Sequence, residues 1–158
     1  RRQFTSAMTL LGYADGERSE GASYLEIAEW IQRHCMNVEE NLTELFRRIV
    51  FNIAVSNCDD HLRNHGFIYY PKGWTLSPAY DLTPDPAGYG LKLNISETDN
   101  ALDYDLALSI APYLGIKKDN ALEILKQIKS IVAEWRKVAT RYGIPKSEQD
   151  LVEDAFRY

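Results

Sequence analysis

The 158-residue sequence lacks features that mark several classes of protein. No apolar run approaches the roughly 20 residues that a membrane-spanning helix needs, so we expect no membrane association. Two cysteines, Cys35 and Cys58, are too few for a disulfide framework and predict a reducing, cytoplasmic location. With a formal charge of −5, no dense basic patch indicates direct contact with nucleic acid. An initial methionine is also missing, and we expect one domain of a longer protein.

The first clear element of the chain is a helix that begins after Ser23. Residues 1–22 show no apolar period, and Asp15-Gly16 indicates a turn. Ser23, followed three residues later by Glu26, forms the capping-box pattern. This pattern predicts a helix over residues 24–34.

A longer helix is predicted from residue 38 or 39 to residue 55, with Asn37 as its N-cap. Arg47 and Arg48 are expected to face away from its apolar stripe. The helix leads directly into residues 56–64, a polar segment that we call the polar loop. The apolar residues recur at the spacing of one helical face, which we expect to be buried: Leu42, Leu45, Phe46, Ile49, Ile53 and Ala54.

A β-hairpin is predicted after the polar loop. Residues 66–70 are rich in β-forming side chains, residues 71–73 have turn chemistry, and residues 74–76 would return as a second strand. Prolines and glycines then keep residues 77–95 out of helical structure. We call this segment the proline loop, and loops of such length in a compact domain are commonly functional.

The remainder of the chain is predicted to be helical. One helix ends near Ile110, with Gly115 closing a short tail, and a last helix runs from Ser147 to the terminus. A longer helix covers residues 120–141, capped by Asp119. Its apolar stripe is expected to be core: Leu122, Leu125, Ile128, Ile131, Val132 and Trp135. The predicted fold is therefore mainly α with a small β-hairpin.

Three polar residues, Asp59, Asn64 and Asp81, have the order and spacing of a phosphoryl-transfer site. Phosphoryl transfer needs an acceptor for the proton of the attacking hydroxyl, and oxygen ligands for Mg²⁺. An aspartate followed five residues later by an asparagine is the spacing of the kinase catalytic loop. A second aspartate beyond a hairpin has the position of the other metal ligand. Arg63 could neutralise phosphate charge beside them.

The polar loop departs from the common protein-kinase pattern. No His-Arg precedes Asp59, and no Phe-Gly follows Asp81. His61 lies two residues after Asp59, where common protein kinases have none. The order Asp-x-His-x-x-Asn is more similar to the loop of the phosphoinositide-kinase branch.

Two motifs together resemble the HipA family of bacterial serine/threonine kinases, the toxins of type II toxin–antitoxin modules and their relatives. They are Asn-Cys-Asp-Asp-His-Leu-Arg-Asn at residues 57–64 and Trp-Thr-Leu-Ser-Pro-Ala-Tyr-Asp-Leu at residues 74–82. Further segments also resemble that family, so that the resemblance covers nearly the whole chain: residues 4–12, 22–25, 91–95 and 143–145. The resemblance implies that residues 1–158 form the C-terminal, catalytic-loop lobe, similar to the helical lobe of a kinase.

The resemblance also implies a role for each polar residue. Asp59 would be the general base that orients and deprotonates the substrate hydroxyl. Asn64 and Asp81 would hold Mg²⁺ against the phosphates of ATP. His61 would support the loop, and Arg63 would occupy the place of its basic residue.

One part of the family pattern is missing from this chain. HipA-like proteins carry an N-terminal lobe with a phosphate-covering loop and an ATP-pairing lysine, whereas this chain contains no Gly-x-Gly-x-x-Gly. We therefore expect that the nucleotide-clamping lobe is absent here and that the chain alone has little kinase activity. The expected partners are a protein substrate and a HipB-like DNA-binding antitoxin.

Two other classes of function stay open at this point. A metal-dependent phosphohydrolase would gather His61 and His65 with Asp59 and Asp81 around a pair of metal ions. A non-catalytic domain, retained to bind an antitoxin or another partner, would need none of these residues for chemistry.

Three residues in or next to the motif are not predicted to take part in the chemistry. Asp60 is left without an assigned role, Cys58 is expected to be a small packed residue, and His65 is expected at the surface or the hairpin edge. Cys58, His61 and His65 have the spacing of zinc ligands, but the sequence offers them no convincing fourth ligand.

Overall fold

A computed structural model describes residues 2–14 and 21–158, so the turn predicted at Asp15-Gly16 lies outside the described residues. The strands are β1 (Phe4–Ser6), β2 (Gly66–Tyr70) and β3 (Gly73–Leu76). The helices are α1 (Ala7–Leu10), α2 (Tyr24–His34), α3 (Val38–Ala54), α4 (Tyr104–Ile110), α5 (Lys118–Ala133), α6 (Trp135–Arg141) and α7 (Lys146–Leu151). Short 3₁₀ turns occupy Leu62–Asn64, Ala111–Leu114 and Glu153–Ala155.

The predicted hairpin is part of a three-stranded antiparallel sheet, ordered β1-β2-β3. Strand β1 pairs with β2, with Phe4 opposite Ile68 and Ser6 opposite Gly66. Residues 1–22 show no apolar period, yet they contain β1 and α1, because elements of three and four residues are too short to show one. Gly66 allows close approach: a Cβ atom there would lie 2.3 Å from the Phe4 ring.

Helix α2 forms as predicted, and its capping box is complete. The Ser23 backbone N–H donates to Glu26 Oε2 at 2.9 Å, and the Glu26 N–H donates to Ser23 Oγ at 3.4 Å. These two bonds satisfy amide groups that the first turn of a helix leaves without intrahelical partners.

Helix α3 is the central element, packed against α2, α4 and α5. Its predicted apolar face is buried. Asn37 occupies the N-cap position with φ 50°, but its side chain donates to Glu40 rather than capping the helix. Arg48 was expected to face away from the apolar stripe, and its side chain is nevertheless buried, where it donates to Glu44 Oε1 and to the Ser77 carbonyl. These partners satisfy Nε and Nη2 of the buried guanidinium, whereas Nη1 has no hydrogen-bond partner among the described residues.

The second half is helical as predicted, with different boundaries. The helix predicted over residues 120–141 is two helices, α5 and α6, and Lys117 rather than Asp119 is the N-cap of α5. Leu122 and Ile131 are 42% and 69% exposed, so the core prediction was wrong for them. Helix α7 stops at Leu151 instead of reaching the terminus.

Across residues 2–14 and 21–158, no helix is both long and apolar enough to cross a bilayer.

Candidate functional site

The polar loop begins where α3 ends. Ala54 is the last helical residue, and Ser56 turns the chain with a left-handed φ of 49°. The loop closes in a 3₁₀ turn, where the Asn64 N–H donates to the His61 carbonyl at 2.8 Å. Leu62 is buried and anchors this turn in the core. Asp59 lies between these two fixed points with an exposed side chain.

The polar loop and the proline loop meet through Asn64 and Asp81. Asn64 Nδ2 donates to Asp81 Oδ2 at 3.2 Å. Two more bonds join the same segments: Asn57 Nδ2 donates to the Asp81 carbonyl at 3.4 Å, and the Tyr80 hydroxyl donates to the Arg63 carbonyl at 2.5 Å. The structure thus brings together two of the residues that the motif spacing singled out.

Asp81 has an unusual backbone conformation. Its φ is 57°, in the left-handed region that costs an L-residue about 1–2 kcal/mol, although aspartate tolerates it better than most. The bonds from Asn57 and Asn64 hold the residue there. Strain of this kind is commonly concentrated at functional sites.

The side-chain oxygen atoms of Asp81 and Asn64 are candidate ligands for a cation. The Asp81 carboxylate is on an exposed residue, and Asn64 lies beside it with an amide oxygen that its donating nitrogen leaves free to bind a cation. Carboxylate and amide oxygens are ligands that Mg²⁺ prefers, with phosphate and water oxygens completing its octahedron. Asp59 and Arg63 are exposed on the same loop, and His61 precedes the 3₁₀ turn.

Asp60 is the centre of a buried hydrogen-bond network. Its side chain is 2% exposed, and Oδ2 accepts from the Tyr24 hydroxyl at 2.5 Å, from Asn52 Nδ2 at 2.8 Å and from His65 Nε2 at 2.8 Å. Burial, and then the charge of Asp60, raise the pKa of Tyr24 well above its ordinary value, so that its hydroxyl remains a donor. His65 was expected at the surface or the hairpin edge; the surface position was wrong, because this residue is 1% exposed and directly precedes β2.

The network continues from Asp60 to Asp81. Asn52 donates to Asp60 through Nδ2, and its Oδ1 accepts from Asn57 Nδ2 at 3.1 Å. Asn57 Nδ2 also donates to the Asp81 carbonyl. Sequence reasoning missed Asn52. A signal was available: an amide three residues after Ile49, on the apolar face of a buried helix, requires a polar partner.

Cys58 packs against the proline loop. A Cβ atom built on Gly88 would lie 2.1 Å from its sulfur, so only glycine fits at that point. Burial, and then the nearby Asp85 charge, raise the pKa of the Cys58 thiol. Its position agrees with the predicted role as a packed residue.

The geometry argues against the alternatives that need a cluster of metal ligands. In the part of the chain that the structure describes, no group of three histidine, cysteine, aspartate or glutamate side chains could hold a metal ion. His65 Nε2 is engaged by Asp60 inside the core. Neither the zinc site nor the dinuclear hydrolase site therefore has a ligand set among those residues.

The chain matches a known protein family over most of its length. The model of the HipA-like C-terminal domain matches residues 1–135, and the chain belongs to that family. A protein of Haemophilus influenzae that bears the name "Putative kinase" is 29% identical over 185 residues, covering 99% of this chain and 53% of that protein. The chain thus spans about half the length of this curated relative.

A solved structure has a similar fold. Shewanella oneidensis MR-1 HipA, in complex with HipB and its operator DNA, superposes with a TM-score of 0.71 at 19% identity. The superposition covers 82% of this chain and 35% of that one. Over that part of the chain, the structural elements adopt a HipA-like arrangement.

Proposed function

We propose that this chain is the catalytic-loop lobe of a HipA-like protein serine/threonine kinase. The observation that carries the proposal is the contact between Asn64 and Asp81, two residues that lie 17 positions apart in sequence. A kinase site requires this asparagine and this aspartate beside each other, because both ligate metal ions that bridge the ATP phosphates. Family membership and the name of the Haemophilus relative support the same class of reaction.

Asp59 would act on the substrate hydroxyl. Its exposed carboxylate, five residues before Asn64, can accept the hydroxyl proton and orient the oxygen toward the γ-phosphorus of ATP. Asn64 and Asp81 would hold Mg²⁺ through their side-chain oxygens. When bound, this ion would neutralise charge that develops on the transferred phosphoryl group. Arg63 would add positive charge near the phosphates, and His61 would support the loop.

Activity would require more than this lobe. A kinase encloses ATP between two lobes, and this chain contains neither the glycine-rich phosphate loop nor a lysine placed to pair with ATP in a preceding β-rich segment. We propose that residues 1–158 correspond to the helical lobe of kinases and that the chain alone is inactive. Phosphorylation of any protein by this polypeptide alone would contradict that part of the proposal.

The partners proposed are a protein that offers a serine or threonine hydroxyl and a HipB-like DNA-binding antitoxin. The second rests on the Shewanella neighbour, which was solved with HipB and operator DNA. With a formal charge of −5, this chain is expected to reach DNA through the antitoxin rather than directly.

The experiment uses the complete protein that contains this chain, assayed for phosphate transfer from ATP and for Mg²⁺-dependent ATP binding. Asp59→Asn should lower kcat about 10²–10⁴-fold, the usual contribution of a general base, while ATP binding persists. Asp81→Asn should abolish Mg²⁺-dependent binding as well, because it removes a charged metal ligand. Asp119→Asn, an exposed aspartate in the first turn of α5, is the matched control. Full activity in Asp59→Asn would remove Asp59 as the base.

A further inference from the structure

The last residues of the chain are held against the centre of the fold. Phe156 stacks on Trp135, with ring centroids 4.0 Å apart and planes inclined by 5°. The Tyr104 hydroxyl donates to the Arg157 carbonyl at 2.5 Å. The family model matches residues 1–135 only. Phe156 and Arg157 lie beyond the matched region, so their contacts are not a feature that the match describes.

Arg157 contacts the point where α3 becomes the polar loop. Its backbone N–H donates to the Ala54 carbonyl at 2.8 Å, and its Nε donates to Ser56 Oγ at 3.0 Å. The last carbonyls of a helix have no intrahelical donors, and positive charge is favourable at that end. Arg157 therefore satisfies the end of α3 and also holds the first residue of the polar loop.

Ser56 joins the two loops of the candidate site. It is buried, and its carbonyl accepts from the Cys58 N–H at 2.8 Å and from the Asp85 N–H at 3.1 Å. Cys58 immediately precedes Asp59, and Asp85 lies four residues after Asp81. A displacement of Ser56 would therefore move both halves of the site relative to each other.

We propose that Arg157 is a positioning residue, which fixes the separation of the polar loop and the proline loop through Ser56. This rests on the function proposed above, because the separation matters only if both loops act on one substrate. The Ser56 φ of 49° strengthens the argument, since a non-glycine residue persists in the left-handed region when its surroundings hold it there. The bond to Ser56 Oγ is one such restraint.

Amide hydrogen exchange tests the proposal independently of enzyme activity. In the complete protein, Arg157→Met should raise exchange at the Cys58 and Asp85 amides roughly tenfold, as expected for loss of a charge-assisted bond that holds their shared acceptor. Exchange within α2 should not change, which distinguishes a local effect from general destabilisation. Arg33→Met, which alters an exposed arginine of α2, is the control. Unchanged exchange at both amides would overturn the proposal.

Kinetics of the same proteins test the consequence. Arg157→Met should lower kcat roughly tenfold and raise the Mg²⁺ concentration needed for half-maximal activity, because small displacements of reacting groups are costly. Ser56→Ala should do the same, and the double variant should be no worse than the worse single variant if one bond carries the effect. Additive losses, or an unchanged Mg²⁺ requirement, would refute the positioning role. If the unaltered protein transfers no phosphate, the proposed function fails, and hydrogen exchange alone decides whether Arg157 fixes the loops.

Discussion

Asp59 and Asp60 are neighbours in sequence, but we expect their substitution to affect different properties: activity for Asp59 and fold stability for Asp60. Asp59 is exposed, whereas Asp60 is buried and accepts hydrogen bonds from three side chains. We predict that Asp60→Ala destabilises the fold strongly, while Asp59→Ala lowers phosphate transfer by the complete protein about 10²–10⁴-fold and leaves the fold intact.

The magnitude follows from the three donors that Asp60→Ala would leave without their acceptor. Each buried donor left unsatisfied costs about 1–3 kcal/mol. The donors can rebond in part, because Asn52 Nδ2 already lies 3.3 Å from the Tyr24 hydroxyl. We therefore expect a loss of about 3–5 kcal/mol, similar to that for breaking a buried ion pair. That is a large share of the roughly 5–15 kcal/mol that stabilises a typical protein.

Urea unfolding followed by circular dichroism measures the difference. Asp60→Ala should lower the midpoint with little change in the slope, and Asp59→Ala should stay within about 0.5 kcal/mol of the unaltered protein. If Asp60→Ala lost less than about 1 kcal/mol, the energetic reasoning from buried unsatisfied donors would be refuted.

Two further predictions concern the cysteines. Gly88→Ala should cost about 1–3 kcal/mol, because its Cβ would lie 2.1 Å from Cys58 Sγ and 2.8 Å from Cys58 Cβ. Adding Cys58→Ala removes only the first of these contacts and should restore part of that loss in urea unfolding; no recovery would show that the clash with the sulfur is not the cause. Burial raises the pKa of the Cys35 thiol from 9.0 to about 12 in the folded protein. As the pH rises, the thiol therefore ionises in the unfolded chain before it ionises in the folded one. The stability that the neutral, buried thiol contributes is complete below pH 9 and is lost as the pH rises toward 12. Melting temperatures of Cys35→Ala should fall less steeply above pH 9 than those of the unaltered protein, and equal slopes would contradict this.

Local patterns were sufficient to predict several elements. The capping box at Ser23 located α2, and the apolar period of α3 gave its buried face, because both depend on residues within a few positions of each other. Strand β1 was missed because its pairing with β2 joins distant residues, such as Phe4 and Ile68. The burial of Arg48 and of His65 was not predicted for a similar reason. A polar residue can be buried only with partners, and theirs include groups on other elements.

The spacing of Asp59, Asn64 and Asp81 is a property of the sequence alone, and it was enough to predict a kinase-like site. Only the tertiary structure decided that Asn64 and Asp81 are in contact and that Asp60, rather than Asp59, is the buried carboxylate. The same is true of Arg157 and Ser56, which meet although they lie 101 positions apart. Spacing within a loop is set by the chain itself, whereas a hydrogen-bond partner is set by whichever elements the packed core brings together.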